Sequence, residues 1–198
     1  MFLVAATPLS AADPDTNVVR RSCCQAPEPS GAALPDKSVY QLESVWTNDQ
    51  GRKVSLASLK GRPQVVVMFF ANCQYTCPLL VFQMKQLQAA LPPELRARVG
   101  FTLVSFDSKR DTAEALKNYR AQHELPDGTW TLLNGDPDSV LELAGVLGVK
   151  FKENPDGQFA HSNLITLLNA QGEVACQQTG VNGDNDEILR QLKQLEAH

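Results

Sequence analysis

The sequence predicts an α/β fold with a mixed β-sheet covered by helices, and three observations predict it. Residues 65–70 and 99–106 are apolar runs with the length and β-branched content of buried strands. Each is followed by a segment whose apolar residues recur at helical spacing. The last third then holds two strand-like runs around a glycine turn, followed by an amphipathic stretch. Strands that alternate with helices and end in a hairpin require a sheet covered on both faces.

Taken in order, residues 1–37 contain Pro8, Pro14, Pro27, Pro29 and Pro35 among Ala, Ser and Asp without periodicity, and so predict a tail or linker. Residues 38–198 form the domain. Tyr40, Leu42, Val45 and Trp46, then Val54 and Leu56 across Asn48-Asp49-Gln50-Gly51, predict an N-terminal β-hairpin. After the first core strand, Pro78 suits a first helical turn, where its missing N–H is not needed. Leu80, Met84, Leu87 and Leu91 then mark a helix that Pro92-Pro93 ends.

The second core strand ends at Asp107. Asp111 or Thr112 can cap the helix that follows, with Glu114 placed for a capping box and Ala115, Leu116 and Tyr119 turned inward. Residues 130–133 predict a short strand. Asp136-Pro137 opens a helix carrying Val140, Leu141, Ala144 and Leu147, with Gly148 as its stop. Residues 164–168 and 173–178 form the closing hairpin about Asn169-Ala170-Gln171-Gly172, and Ile188, Leu189, Leu192 and Leu195 mark the C-terminal helix. A thioredoxin-like fold satisfies this order.

With 198 residues and 43% hydrophobic content, the chain can bury one well-packed core. A net charge of -4 without a basic run gives no footprint for nucleic acid or an anionic membrane. No stretch reaches the roughly 18 consecutive apolar residues of a membrane-spanning helix. Residues 1–12 end in small residues like a secretory cleavage site but lack a basic start. They read either as the end of a signal or anchor segment, which would put the domain in the periplasm or on a membrane facing it, or as an ordinary tail.

Five cysteines are an odd number, and a domain of this size needs no disulfide framework. Cys73-Gln74-Tyr75-Thr76-Cys77-Pro78 places two thiols four positions apart in a strand-to-helix loop. Backbone N–H groups at a helix start favour the thiolate, which binds soft metals and attacks disulfides. A buried, inert cysteine pair is the ordinary alternative, and the helix start argues against it.

From about Ser38 to Leu195 the chain resembles the Sco/SenC copper-binding thioredoxin-like proteins, which are linked to assembly of respiratory copper centres such as that of cytochrome c oxidase. Three segments carry the resemblance: the strand followed by Cys73-x-x-x-Cys77-Pro78, the strand end running from Ser105-Phe106-Asp107 to Asp111-Thr112, and His161-Ser162 entering the penultimate strand. The resemblance implies a thioredoxin-like fold and copper bound by Cys73, Cys77 and His161. It implies a copper-enzyme recipient such as a cytochrome oxidase subunit as partner. Two positions depart from the family pattern: Ala160 where an acid usually precedes the histidine, and Ser108 where a proline usually follows the aspartate.

Two thiolates and one imidazole suit that chemistry, since thiolate favours Cu(I) and imidazole serves both Cu(I) and Cu(II). The same spacing lets Cys73 and Cys77 close into a redox-active disulfide, so a thiol-disulfide oxidoreductase acting on a partner's cysteines is the alternative function. Zinc commonly takes a fourth ligand, and no further Cys or His lies at finger-like spacing. A peroxiredoxin-like site would need a threonine three residues before its cysteine, where this chain has Phe70 and Gln74.

Asp107 is expected either to orient a ligand from behind or contact a partner, or to act as a capping carboxylate. Cys176, alternating with Val174, reads as a small core residue. Cys23 and Cys24 are tail thiols that either capture copper transiently, form mixed disulfides or take no part. His123 reads as a solvated helix residue, His198 as merely terminal, and His161 without the resemblance would read as a hydrogen-bonded histidine at a strand entrance.

Overall fold

The computed structural model describes residues 34–181 and 185–195, so Cys23, Cys24 and His198 lie outside the described residues. Nine strands and five α-helices are described, and seven of the strands form one sheet, in the order β2 (Lys53–Ser55), β1 (Val45–Asn48), β5 (Trp130–Asn134), β4 (Gly100–Ser105), β3 (Gln64–Phe69), β8 (Leu164–Leu168) and β9 (Val174–Thr179). β1 (Val45–Asn48) and β2 (Lys53–Ser55) make the expected hairpin, with Trp46 opposite Val54. Tyr40 and Leu56 fall in short 3-10 turns on either side of it.

β3 (Gln64–Phe69) and β4 (Gly100–Ser105) pair in parallel and are buried along their whole length. Complete burial means that both sheet faces are covered, which explains their continuous apolar run. β5 (Trp130–Asn134) continues the parallel set. β8 (Leu164–Leu168) returns antiparallel beside β3, and β9 (Val174–Thr179) forms the outer edge. The one buried polar side chain at the start of β3 is bonded: Gln64 donates to the Leu59 carbonyl and accepts from Thr102 Oγ1. Gly100 lies against that amide, because a methyl there would stand 2.1 Å from Gln64 Oε1.

α1 (Thr76–Ala90) buries Leu80, Val81, Met84 and Leu87, and Leu91 caps its end before the short α2 (Pro93–Arg96). α3 (Ala113–Gln122) is capped by Thr112, whose Oγ1 accepts from the Ala115 N–H. Glu114 therefore sits one position too early to complete a capping box. Leu116 and Tyr119 turn inward, while Ala115 is only half-buried. α4 (Pro137–Leu147) has the Asp136 cap, Pro137 start and left-handed Gly148 stop read from the sequence. Its buried face carries Leu143, and Leu141 points outward at 59% exposure. α5 (Asp186–Leu195) buries Ile188 and Leu192.

Between α4 and β8 the chain inserts a ribbon that periodicity did not reveal, β6 (Phe151–Glu153) paired antiparallel with β7 (Phe159–His161). It forms a separate two-stranded sheet. His161 ends this ribbon, three residues before β8, and so does not enter the penultimate strand as expected. Among the described residues, no helix is long and apolar enough to cross a membrane.

Candidate metal centre

β3 ends at Phe69, and the chain turns through Ala71 and Asn72, with the Cys73 N–H donating to the Phe70 carbonyl at 3.2 Å. Cys73 stands in this loop, half-buried. Cys77 does not share the loop as expected: it is the second residue of α1 and fully buried. The helix begins at Thr76, which puts Pro78 in its first turn as expected, and the proline is tolerated there because the first four N–H groups of a helix have no internal partner. One of these groups, the Cys77 N–H, donates to Cys73 Sγ at 3.4 Å.

That hydrogen bond places a sulfur where a helix start favours negative charge. Cys73 is lowered to about 3, first by its hydrogen bond with the Cys77 side chain and further by the His161 side chain and the N–H groups of Cys77 and Tyr75, against the opposing effect of partial burial. Cys77 is raised, first because it holds the shared proton against Cys73, then by burial and by the Cys73 and Asp111 charges. At neutral pH the pair is one thiolate, at Cys73, beside one thiol. No disulfide joins them, and Cys176 is likewise free.

The ribbon brings the third donor. His161 Nε2 lies 3.7 Å from Cys77 Sγ, and the two sulfurs and a ring nitrogen all fall within 4.8 Å of one another. His161 Nδ1 lies 3.2 Å from the Ser162 carbonyl. A carbonyl only accepts, so Nδ1 carries a proton in this contact, and in that tautomer the Nε2 lone pair faces the sulfurs. The ring is held by Phe106 at 5.2 Å between centroids and by the edge of Phe70 at 6.1 Å. Phe159 packs on both of these rings.

Thr76 is a functional residue that the sequence reading missed. Its Oγ1 lies 3.2 Å from His161 Nε2 and 3.8 Å from Cys73 Sγ. With Nδ1 protonated, the hydroxyl is the donor in the first contact. A threonine between the two cysteines, one position before the second, was the available signal.

The Asp107 carboxylate is engaged away from the three donors. It accepts from the Arg110 backbone N–H at 3.2 Å and from the Arg110 guanidinium. Arg110 then reaches Glu153 at 3.4 Å and lies over the Phe159 ring at 5.5 Å, which ties the ribbon to the end of β4. The acid that reaches the cysteine loop is Asp111, read from sequence only as a possible cap. It accepts from the Ala71 N–H at 2.8 Å and from the Ser105 hydroxyl, and burial raises its carboxyl.

Outside the donors, Tyr75, Leu79 and Phe82 are exposed on one stripe that continues from Cys73 along α1, and no charged residue occurs between Arg62 and Lys85. Cys176 is half-buried, and a bulge in β9 leaves Val174 exposed rather than sharing a buried face with it. His123 caps the end of α3 with its ring 4.2 Å from Tyr119, so it is half-buried rather than solvated.

A family model described as SCO1/SenC matches residues 35–197. A SCO1 protein homolog of Bacillus subtilis (strain 168) is 29% identical over 170 residues, 82% of this chain and 86% of that protein. The structure of BsSco, a member of the Sco family of cytochrome c oxidase assembly proteins in which a disulfide switch was identified, matches with a TM-score of 0.65 at 28% identity. That match covers 77% of this chain and 91% of BsSco. Copper-bound ScoI of Bradyrhizobium japonicum shares the fold, with a TM-score of 0.64 at 24% identity over 77% of this chain and 96% of its own. The match extends over the whole sheet and takes in the cysteine loop and the ribbon histidine, and on that ground the chain belongs to the SCO1/SenC family.

Proposed function

We propose that this protein is a copper donor: it holds copper through Cys73, Cys77 and His161 and passes it to a copper enzyme such as a cytochrome c oxidase subunit. The observation that carries this reading is the convergence of two sulfurs and a ring nitrogen within 4.8 Å. Two sulfur donors suit Cu(I), and the Nε2 lone pair makes the set acceptable to Cu(II) as well. The copper held by the Bradyrhizobium protein of the same fold supports the choice of metal. The site is only half-buried at Cys73, so an incoming thiolate can reach the metal from that side and displace the donors one at a time.

The test is a copper titration with spectroscopy. Reduced protein is expected to bind one copper, with sulfur-to-copper charge-transfer absorption in the Cu(II) form. A Cys73→Ser/Cys77→Ser variant that keeps the stoichiometry and spectrum would overturn the reading. His161→Ala should weaken Cu(II) more than Cu(I) and should abolish transfer to the recipient.

A second reading, a thiol-disulfide oxidoreductase that reduces a partner's cysteines, is favoured by one observation: a Cys73 thiolate beside a protonated Cys77. Cys73 would attack a partner disulfide, form a mixed disulfide and release one partner thiolate. Cys77 would then lose its proton and attack Cys73, releasing the second partner thiol and leaving a Cys73–Cys77 disulfide. The disulfide switch of BsSco supports it. His161→Ala separates the two, since it should leave thiol exchange nearly intact. For either task we place the domain in the periplasm or on a membrane facing it, as the signal-like residues 1–12 suggest; a reporter fusion that stays in the cytoplasm would contradict this.

A further inference from the structure

Behind the aromatic wall that holds His161 lies a second, separate recess of about 280 Å³. Its inner side is made by Phe106, Phe151 and Phe159, with the first two stacked at 5.1 Å between centroids, and Val140 and Leu141 of α4 face them. Leu141 is the helix residue that the sequence placed in the core and the structure leaves 59% exposed. Ser108, the departure from the family's proline, lines the recess, and its buried Oγ has no hydrogen-bond partner among the described residues.

The charges at the mouth are not balanced. Asp107 and Glu153 line the recess, but both are engaged by Arg110. Lys109 and Lys152 line it too, both exposed, and neither ammonium has an ion-pair partner among the described residues. Counting Arg110 with the two acids and the two lysines, the opening carries one net positive charge, held outermost by the lysines.

We propose that this recess docks a segment of a partner protein that presents an aromatic side chain beside a carboxylate. An aromatic ring can pack edge-on against the phenylalanines and remove the exposed Leu141 face from water. The neighbouring carboxylate meets the two unpaired lysines. A purely apolar group would leave the lysines unanswered, and a cationic one would be repelled.

Phe106 and Phe159 belong to both sites. They line this recess, and Phe106 also packs on the His161 ring, so an occupant presses on the rings that set the third donor. That coupling rests on the copper-donor reading; the docking itself does not.

The probe is the peptide Ac-Gly-Glu-Tyr-Glu-Gly-NH2, titrated at millimolar concentration into isotope-labelled protein and followed by NMR. We expect saturable shifts at Ser108, Leu141, Phe151 and Phe159 and at the His161 ring. The Tyr→Gly peptide should lose binding. A Lys109→Ala/Lys152→Ala variant, altered only at exposed positions, should weaken it about fivefold, as two solvent-facing ion pairs predict. Leu141→Glu should abolish it. No saturable shift, equal binding of a Glu→Lys peptide, or shifts confined to Tyr75, Leu79 and Phe82 would each overturn the proposal. Phenylacetate binding as tightly as the peptide would assign the recess to a small aromatic acid instead, and so overturn the partner-docking assignment. Copper stoichiometry measured on the same wild-type sample keeps a failure here distinct from a failure of the metal reading.

Discussion

The Thr76 hydroxyl stands 3.2 Å from His161 Nε2 and donates to the lone pair that a metal would use. It therefore competes with any ion for that nitrogen. Because a neutral hydrogen bond is worth about 1 kcal/mol net, Thr76→Val is expected to tighten Cu(II) binding about fivefold, with Thr76→Ser close to wild type. A competition titration against a chelator of known affinity measures this. Weaker binding in Thr76→Val would mean that the hydroxyl supports the site instead.

The thiol pair predicts an asymmetric pH profile. Cys73 is lowered to about 3, so its thiolate persists through neutral and mildly acidic pH and is lost only as the pH falls toward that value. Iodoacetamide should modify Cys73 at a rate nearly independent of pH over the neutral range. Cys77 is raised, so it should remain an unreactive thiol until strongly alkaline pH. Mass spectrometry of the alkylated peptides checks both, and equal rates at the two positions would contradict the assignment.

Arg110 should hold the ribbon more than it holds the fold. It binds Asp107, Glu153 and the face of Phe159, and its guanidinium also fills the space over Gly157 at the ribbon turn. Arg110→Ala is expected to lower global stability by about 1 kcal/mol or less, since the side chain is partly exposed. Amide exchange across residues 151–161 should rise well above that of β3 and β4. Uniform acceleration across the domain would show that the ribbon has no separate opening.

Gly100 is required by space rather than by backbone angle. A methyl 2.1 Å from Gln64 Oε1 must displace an amide that satisfies both Leu59 and Thr102. Gly100→Ala should cost about 1–3 kcal/mol by overpacking, read from the urea midpoint. Adding Gln64→Ala, which removes the opposing amide, should recover part of the loss.

The main sheet and its helices were legible because their patterns are long: β3 and β4 are buried at every position and mostly apolar, and α1 and α5 repeat at helical spacing. The ribbon was not. Each of its strands is three residues long, too short for periodicity to distinguish from loop, and its only strong residues, Phe151 and Phe159, gain their meaning by packing on Phe106. The two cysteines were legible from their spacing at a helix start and His161 only through the family resemblance, but the burial of Cys77 depends on where α1 starts, which Pro78 suggested only to within two residues. The choice between Asp107 and Asp111 lay beyond pattern reading. They are four apart in an irregular loop, and only the fold decides that one reaches Arg110 and the other the N–H of Ala71.

The Cys73 sulfur is also the acceptor that closes the first turn of α1, through the Cys77 N–H. Any event that takes electron density from that sulfur, whether alkylation, a mixed disulfide or coordination, weakens the helix's outermost bond at the same moment. The Cys77 amide proton is thereby a built-in gauge of the chemical state next to it. A single amide resonance should therefore report the chemical state of Cys73, and its loss of protection should mark the fraying of that one turn.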